Sequence, residues 1–325
     1  MNSPNAIPNA QAEHSASKGL CPIVLACDEG YAMPLATTLR SLADSNTRHW
    51  PLLVTVLHDG FREATKELIA RSVPAGAIEL LWKPIDLMEF SRFSHRMPHV
   101  SSMTYARLQL HNSLDSSPER VLFLDSDILV IEDLGALAGA DLGGRMIGAV
   151  PDAHVDAALR KGQRRPEHEG VPRVSGYFNA GVLVVDLAKW RAHRISERAM
   201  QYLSEHRNLP YGDQDALNAT CDGLWARLPK RWNFQLHHAT RITALPPHER
   251  PAIVHFITQS KPWKASSASI NAKLYNEFRD RTVFRRTGGE KLWDLAVTIA
   301  YRLKYRLVRT IGGWIEDGRE ILGKC

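Results

Sequence analysis

The chain has 325 residues, 44% hydrophobic and 23% charged, enough apolar material for one large α/β domain with a terminal extension. Its formal charge of +6 is concentrated at one end, where residues 281–325 carry ten Lys/Arg against five Asp/Glu. The remainder is nearly neutral, which argues against a nucleic-acid-binding surface on the fold. The four cysteines, at 21, 27, 221 and 325, show no C-x-x-C spacing, which excludes a zinc ribbon or a disulfide scaffold as the organising device.

Residues 1–19 are mostly Asn, Ser, Ala, Pro and Gln and read as a disordered leader without the basic-then-apolar order of a secretory signal. Pro22-Ile-Val-Leu-Ala-Cys27 predicts a buried strand, and Met33 to Ala43 a helix with Pro34 near its first turn. Leu52 to Leu57, Glu63 to Arg71 and Ile78 to Trp82 continue the alternation as strand, helix and strand. Tyr105 to Asn112 follows as a helix, then a strand ending at Asp125, then the strand Ile147 to Val150. Gly181 to Val185 is a strand, Gln214 to Thr220 a short helix, and Ala252 to Phe256 a last strand. Such alternation predicts right-handed crossovers and a mainly parallel sheet with helices on both faces. Residues 20–280, without repeat or low-complexity linker, form one domain in this reading. No stretch reaches the length that spans a bilayer, so a cytoplasmic protein is expected.

The most informative run is Arg120-Val-Leu-Phe-Leu-Asp-Ser-Asp-Ile-Leu-Val-Ile131. Its apolar residues lead straight into two carboxylates at the carboxyl end of a strand, where open α/β sheets place their ligands. Side chains at i and i+2 of a strand share a face, so Asp125 and Asp127 can reach one cation. Two turn-capping aspartates are the plain alternative. The same run is shared with aspartate-nucleophile phosphohydrolases of the haloacid dehalogenase type. Those place it near the N-terminus with Thr or Val where this chain has Leu129.

Five blocks occur in order: Thr104-Tyr-Ala-Arg-Leu108, Leu122-Phe-Leu-Asp-Ser-Asp-Ile-Leu129, Tyr177-Phe-Asn-Ala-Gly-Val-Leu183, Gly212-Asp-Gln-Asp-Ala-Leu-Asn218 and His255-Phe-Ile-Thr-Gln-Ser-Lys-Pro-Trp263. Together they resemble the signature blocks of glycosyltransferase family 8, in particular its bacterial lipopolysaccharide α-galactosyl- and α-glucosyltransferases, over roughly residues 22–265. The resemblance implies a GT-A type α/β fold with a Rossmann-like sheet. It also implies a UDP-hexose donor (galactose or glucose), a lipopolysaccharide or lipooligosaccharide core acceptor, and retained anomeric configuration. A self-glucosylating, glycogenin-like transferase and a non-catalytic membrane adaptor are the alternative readings.

By resemblance, Asp125, Asp127 and His255 hold the metal. Manganese fits a carboxylate-plus-imidazole set better than magnesium, the alternative ion, which prefers oxygen ligands. Lys261 then contacts the diphosphate as a point charge. Ala26, Asp28, Tyr31 and Ser126 line the uridine side, with Asp28 as acceptor for the uracil N–H and Tyr31 as stacking partner. His99 and Arg107 reach the phosphate or sugar, although an arginine paired to a carboxylate is the plain alternative for Arg107. Asp152 and Asn179 contact hexose hydroxyls, Gln214 faces the anomeric carbon and Asp213 positions the sugar. An amide is a poor nucleophile, which favours front-face transfer over a covalent intermediate. Two residues depart from the pattern, Gly30 for the family's usual Asn and Thr258 for its usual Gly.

Between Glu290 and Ile311, Leu292, Ala296, Ile299, Leu303 and Leu307 share a helical face, flanked by Arg302, Lys304, Arg306 and Arg309. Such a basic amphipathic tail, residues 281–325, is expected to contact anionic membrane peripherally at the inner leaflet. A helix packed on the catalytic domain is the other reading.

Overall fold

The structure, a computed structural model, describes residues 20–300 except 91–92, 94–100, 115–117, 163–168, 207, 237–241, 243–244, 247–248, 258–260, 265–270 and 298. In chain order its strands are β1 (Ile23–Ala26), β2 (Leu52–His58), β3 (Ile78–Pro84), β4 (Arg120–Asp125), β5 (Ile128–Val130), β6 (Ile147–Pro151), β7 (Phe178–Asp186), β8 (Trp225–Arg227), β9 (Phe234–Gln235) and β10 (Ile253–His255). Seven form one sheet in the order β3-β2-β1-β4-β7-β6-β8, and three form a second sheet in the order β5-β10-β9. In the large sheet only β7 runs against its neighbours, β4 and β6.

The apolar runs explain why both faces of the large sheet are covered. Val24, Val121, Phe123, Leu183 and Val185 enter one core cluster, and Ile23, Leu25, Leu122, Leu124, Val182 and Val184 enter the other. Leu35, Leu39 and Leu42 of the helix Ala32–Ser45 close the second cluster; Trp190, Ile195, Ala199 and Leu203 close the first. Each fully buried leucine removes apolar surface worth about 2 kcal/mol from water. Continuous hydrophobic strands are therefore what a sheet with two cores needs.

Asp125 ends β4 in the large sheet, and Ile128 begins β5 in the small one. The chain leaves one sheet and enters the other across Ser126-Asp127. The helix Ala32–Ser45 fixes this crossing. Thr38 Oγ1 donates to the carbonyls of Ser126 (2.9 Å) and Ile128 (2.8 Å), Ser41 Oγ accepts from Val130 N at 3.0 Å, and Ser45 Oγ donates to Val130 O at 2.8 Å. Residues 38, 41 and 45 lie on one helical face, so three hydroxyls satisfy the free edge of β5 as a neighbouring strand otherwise does.

The helix expected over Tyr105 to Asn112 is a tighter 3-10 turn, Ser102–Gln109, followed by one α-turn, Leu110–Ser113. Ser101 caps its start, and Arg107 Nε donates to Thr104 O at 3.0 Å, competing for the carbonyl that an α-helix would give to Leu108. Cys21, Cys27 and Cys221 are free thiols. Among the described residues, no helix is long and apolar enough to cross a membrane.

Candidate metal and donor site

Parallel pairing of β1 with β4 places Ala26 beside Asp125, so the turn after β1 and the two aspartates share one sheet edge. Antiparallel pairing of β5 with β10 places His255 beside Ile128, the residue after Asp127. Ligand atoms of Asp125, Asp127 and His255 consequently lie within 4.8 Å of one another. The two carboxylates converge because the chain turns between sheets, and not through the alternation of one strand. His255 Nε2 is 3.2 Å from Asp127 Oδ1 and 3.7 Å from Asp125 Oδ2.

Three observations fit this cluster to a divalent cation. Asp127 Oδ1 is buried without a hydrogen-bond partner, the condition of an oxygen that lacks its cation. The donor set of two carboxylates and one imidazole is one that binds divalent cations. Gly181 backs the cluster: a Cβ there would come 2.6 Å from Asp125 Oδ2 and closer still to the His255 ring, so only glycine leaves the space open.

Fixed cations surround the ligands. Lys261 Nζ is 2.6 Å from Asp127 Oδ2 and donates to Phe256 O at 2.6 Å. Burial alone would raise the Asp127 carboxyl, but the Lys261 ammonium outweighs it and holds the group well below the usual carboxylate range. Arg107 is buried between two carboxylates, with Nη2 3.0 Å from Asp125 Oδ1 and Nε 2.9 Å from Asp213 Oδ2. Its Nη1 donates to Ala180 O at 2.5 Å, and its guanidinium lies over the Phe123 ring. Arg107 thus faces site carboxylates, as the plain alternative had it. Burial lifts the Asp213 carboxyl to about 6 although Arg107 opposes the shift, since one arginine is shared between two acids.

The residues expected to contact the sugar form a second group at the end of β6, on β7 and on the helix Asp213–Thr220. Asp152 Oδ1 accepts the backbone N–H groups of His154 and Val155 at 3.0 Å each, which caps the helix that follows. Its Oδ2 receives Asn179 Nδ2 at 3.2 Å and Gln214 Nε2 at 3.3 Å. Gln214 Oε1 accepts from Ala180 N at 3.0 Å, so this amide is held by the strand carrying Asn179. Asp215, next in the helix, takes Tyr177 Oη at 2.5 Å and Tyr211 N at 2.7 Å, and burial lifts its carboxyl to about 7.

Of the residues expected on the uridine side, Asp28 Oδ1 accepts from Tyr31 N at 3.2 Å and Oδ2 from Ser101 Oγ at 2.7 Å. Tyr31 is half-buried, edge-on to Trp263 with centroids 5.8 Å apart. Ser126 is buried, its carbonyl held by Thr38. His99 and Thr258 lie outside the described residues. Asn233, Gly181, Thr38 and Ser101 also belong to the site, and no local pattern in the sequence announces Asn233, Thr38 or Ser101. For Gly181 alone, the Asn-Ala-Gly interruption of an otherwise continuous apolar strand was a usable signal.

A family model described as glycosyl transferase family 8 matches residues 22–267. General stress protein A of Bacillus subtilis (strain 168) is 28% identical over 282 residues, covering 82% of this chain and 95% of that protein. Lipopolysaccharide 1,2-glucosyltransferase of Escherichia coli (strain K12) is 25% identical over 262 residues, 76% of this chain and 74% of that protein. The crystal structure of galactosyltransferase LgtC in complex with donor and acceptor sugar analogs superposes with a TM-score of 0.70 at 26% identity, covering 84% of this chain and 99% of that one. The fold is therefore the GT-A-like α/β fold of that structure.

The raised Asp215 carboxyl carries a stability prediction with a definite sign. The folded chain binds this proton more tightly than the unfolded chain, so the site's contribution is fully present below the unfolded value of about 4 and is lost as pH rises toward 7. Asp215→Asn abolishes that titration. Between about pH 5 and about pH 8, the variant gains stability relative to wild type, on the order of 1–3 kcal/mol. Urea unfolding of both proteins at the two pH values measures the change, and a flat or falling difference contradicts it.

Proposed function

The chain belongs to glycosyltransferase family 8, and from that premise we propose that it transfers galactose or glucose from a UDP-sugar to a saccharide acceptor with retention of anomeric configuration. The observation that carries the reading is the Asp125, Asp127 and His255 cluster beside a buried polar wall of Asp152, Asn179 and Gln214. Arg107 joins the two halves through Asp125 and Asp213. A divalent ion held by the three ligands, manganese in this reading, supplies the Lewis acid that neutralises the leaving diphosphate.

The chain's own residues have separable tasks. Lys261 brings a second positive charge to the edge where the diphosphate would lie. Asp152 and Asn179 offer oriented polar groups to hexose hydroxyls, each held by a neighbour and therefore organised in advance. Gln214 is secured by Ala180 N and turns no free carboxylate toward the sugar. Asp213 is buried and tied to Arg107, which suits it to stabilise positive charge on the sugar better than to attack it. With no free carboxylate placed as nucleophile by these residues, transfer on one face is the mechanism this reading favours, the departing phosphate oxygen taking the acceptor's hydroxyl proton.

The acceptor reading, a lipopolysaccharide or lipooligosaccharide core, rests on likeness to the glucosyltransferase relative. Peripheral membrane contact through the tail draws support from the helix that begins at residue 288. Leu292, Trp293, Leu295 and Ile299 are 70%, 62%, 56% and 48% exposed, while Arg279 pairs with Glu290 and Arg286 with Asp294 to fasten its first turns. Apolar residues left in solvent beside a tail of charge +5 complement an anionic lipid surface. Leu303, Leu307 and the basic residues from Arg302 onward lie outside the described residues.

A panel of UDP-sugars with manganese and truncated lipopolysaccharide acceptors, read by mass spectrometry, identifies donor and acceptor. Mass added to the protein itself reveals self-glucosylation instead. Asp127→Asn is expected to slow transfer about a thousandfold or more by removing charge beside the diphosphate. Near-wild-type turnover at saturating manganese would remove the metal assignment. NMR of the product is expected to show an α-linkage, and a β-linked product overturns retention.

Membrane docking is tested separately by flotation with phosphatidylglycerol vesicles. The intact protein is expected to float at low salt and to release at high salt, and a chain truncated after Arg281 to stay down while transferring to a soluble acceptor analogue. An intact protein that never floats, or a truncated one that still does, refutes tail-mediated docking.

A further inference from the structure

We propose that Asn233 is a positioning residue that holds the His255 imidazole with its proton on Nδ1, which turns the Nε2 lone pair toward Asp125 and Asp127. The purpose of this arrangement rests on the metal reading above, whereas its geometry does not. The assignment follows from partners that can play only one role. The Gly181 backbone N–H can only donate, and it lies 3.1 Å from Asn179 Oδ1, which fixes that atom as an oxygen. The other end of the same amide agrees, since Asn179 Nδ2 donates to the Asp152 carboxylate at 3.2 Å. The Asn233 atom 2.8 Å from the Asn179 oxygen must then be the amide nitrogen. Asn233 therefore presents its oxygen to His255 Nδ1 at 3.0 Å, and an oxygen there requires Nδ1 to carry a proton.

A neutral imidazole has one such proton. With Nδ1 protonated, Nε2 offers only a lone pair to Asp127 Oδ1 at 3.2 Å and Asp125 Oδ2 at 3.7 Å. Asp127 Oδ1 correspondingly has no hydrogen-bond partner. Three lone-pair atoms converge with no proton among them, an arrangement that a cation stabilises and an empty site does not. Asn233 suits the task because it is fully buried, both ends of its amide are engaged, and its backbone lies between the turn Lys230–Asn233 and β9, which pairs with β10 beside His255. Without Asn233 the ring is free to carry its proton on Nε2 and donate it to Asp127, which blocks the ligand position.

Histidine-selective nitrogen NMR of the metal-free protein in mildly alkaline buffer tests the assignment, with the His255 signals identified by their loss in His255→Ala. The expected spectrum shows a ring whose Nδ1 carries a proton. In Asn233→Ala the ring is expected to become mixed or Nε2-protonated, and Mn2+ binding in the presence of UDP, followed by electron paramagnetic resonance, to weaken about ten- to a hundredfold. Should that variant not fold, Asn179→Ala, which frees the Asn233 amide to flip, is expected to disturb the same His255 signals. A wild-type ring with Nδ1 unprotonated overturns the proposal, as does an unchanged ring and affinity in Asn233→Ala. If wild type binds no Mn2+ while its ring is protonated at Nδ1, the metal reading fails and the positioning of His255 stands.

Discussion

The structure depends on how buried charge is balanced where β4 ends. Among the described residues, Asp125, Asp127 and Asp213 meet two fixed cations, the buried Arg107 and Lys261, with Asp213 itself buried. Like charges at such short range and low dielectric repel strongly, so the acids persist there only because each has a specific opposing group. Arg107 shares itself between two of them, which is why Asp213 is lifted while Asp127, with Lys261 to itself, is pulled down. The remaining negative charge at Asp125 and Asp127 is what suits this edge to a divalent cation.

The fold brings these groups together by changing sheets. One long strand from Arg120 to Ile131 would have separated His255 from the aspartates, because β10 belongs to the small sheet. Breaking the strand at Ser126-Asp127 delivers Asp125 from one sheet and Asp127 from the other. The break leaves the β5 edge in need of hydrogen bonds, and Thr38, Ser41 and Ser45 provide them from inside a helix whose remaining buried residues are mostly apolar. Buried hydroxyls in a helix are ordinarily a weakness. Here they are what keeps the turn in place.

Much of this was legible in the sequence, and the reason differs from residue to residue. Strands β1, β2, β4 and β7 announce themselves because a sheet with two cores demands unbroken apolar runs. Asp125, Asp127, His255 and Lys261 are readable because their chemistry is concentrated in short contiguous blocks. Asp215 has no role legible in the sequence, since its partner Tyr177 lies 38 residues away and no periodicity links them. Arg107 is visible as a residue, but its two carboxylate partners, Asp125 at a strand end and Asp213 at a helix start, come together through tertiary packing that spacing alone does not encode. The 3-10 winding of Ser102–Gln109 was missed because the competing hydrogen bond comes from the arginine side chain and not from any helix-breaking residue. Asn233 left no trace, since one asparagine beside a tryptophan in a turn has no pattern to break.

The asparagines show why such residues escape a reading of the chain yet matter to its chemistry. Asp152, Asn179, Asn233 and His255 come from four separate segments, and each donor in the series meets one acceptor. The series is anchored at both ends of Asn179, by the Gly181 backbone N–H and by the helix-capping carboxylate of Asp152, neither of which can reverse its role. A buried network satisfied in this way has one low-energy arrangement, because flipping any amide would oppose two donors or two acceptors at once, at about 1–3 kcal/mol for each group left unpaired. The orientation of the His255 ring is therefore set at Asp152 and transmitted through two amides to the Asp125, Asp127 and His255 cluster. The strand carrying Asn179, Ala180 and Gly181 consequently serves both halves: it positions Gln214, anchors the asparagine relay, and at Gly181 leaves room for the ligands themselves.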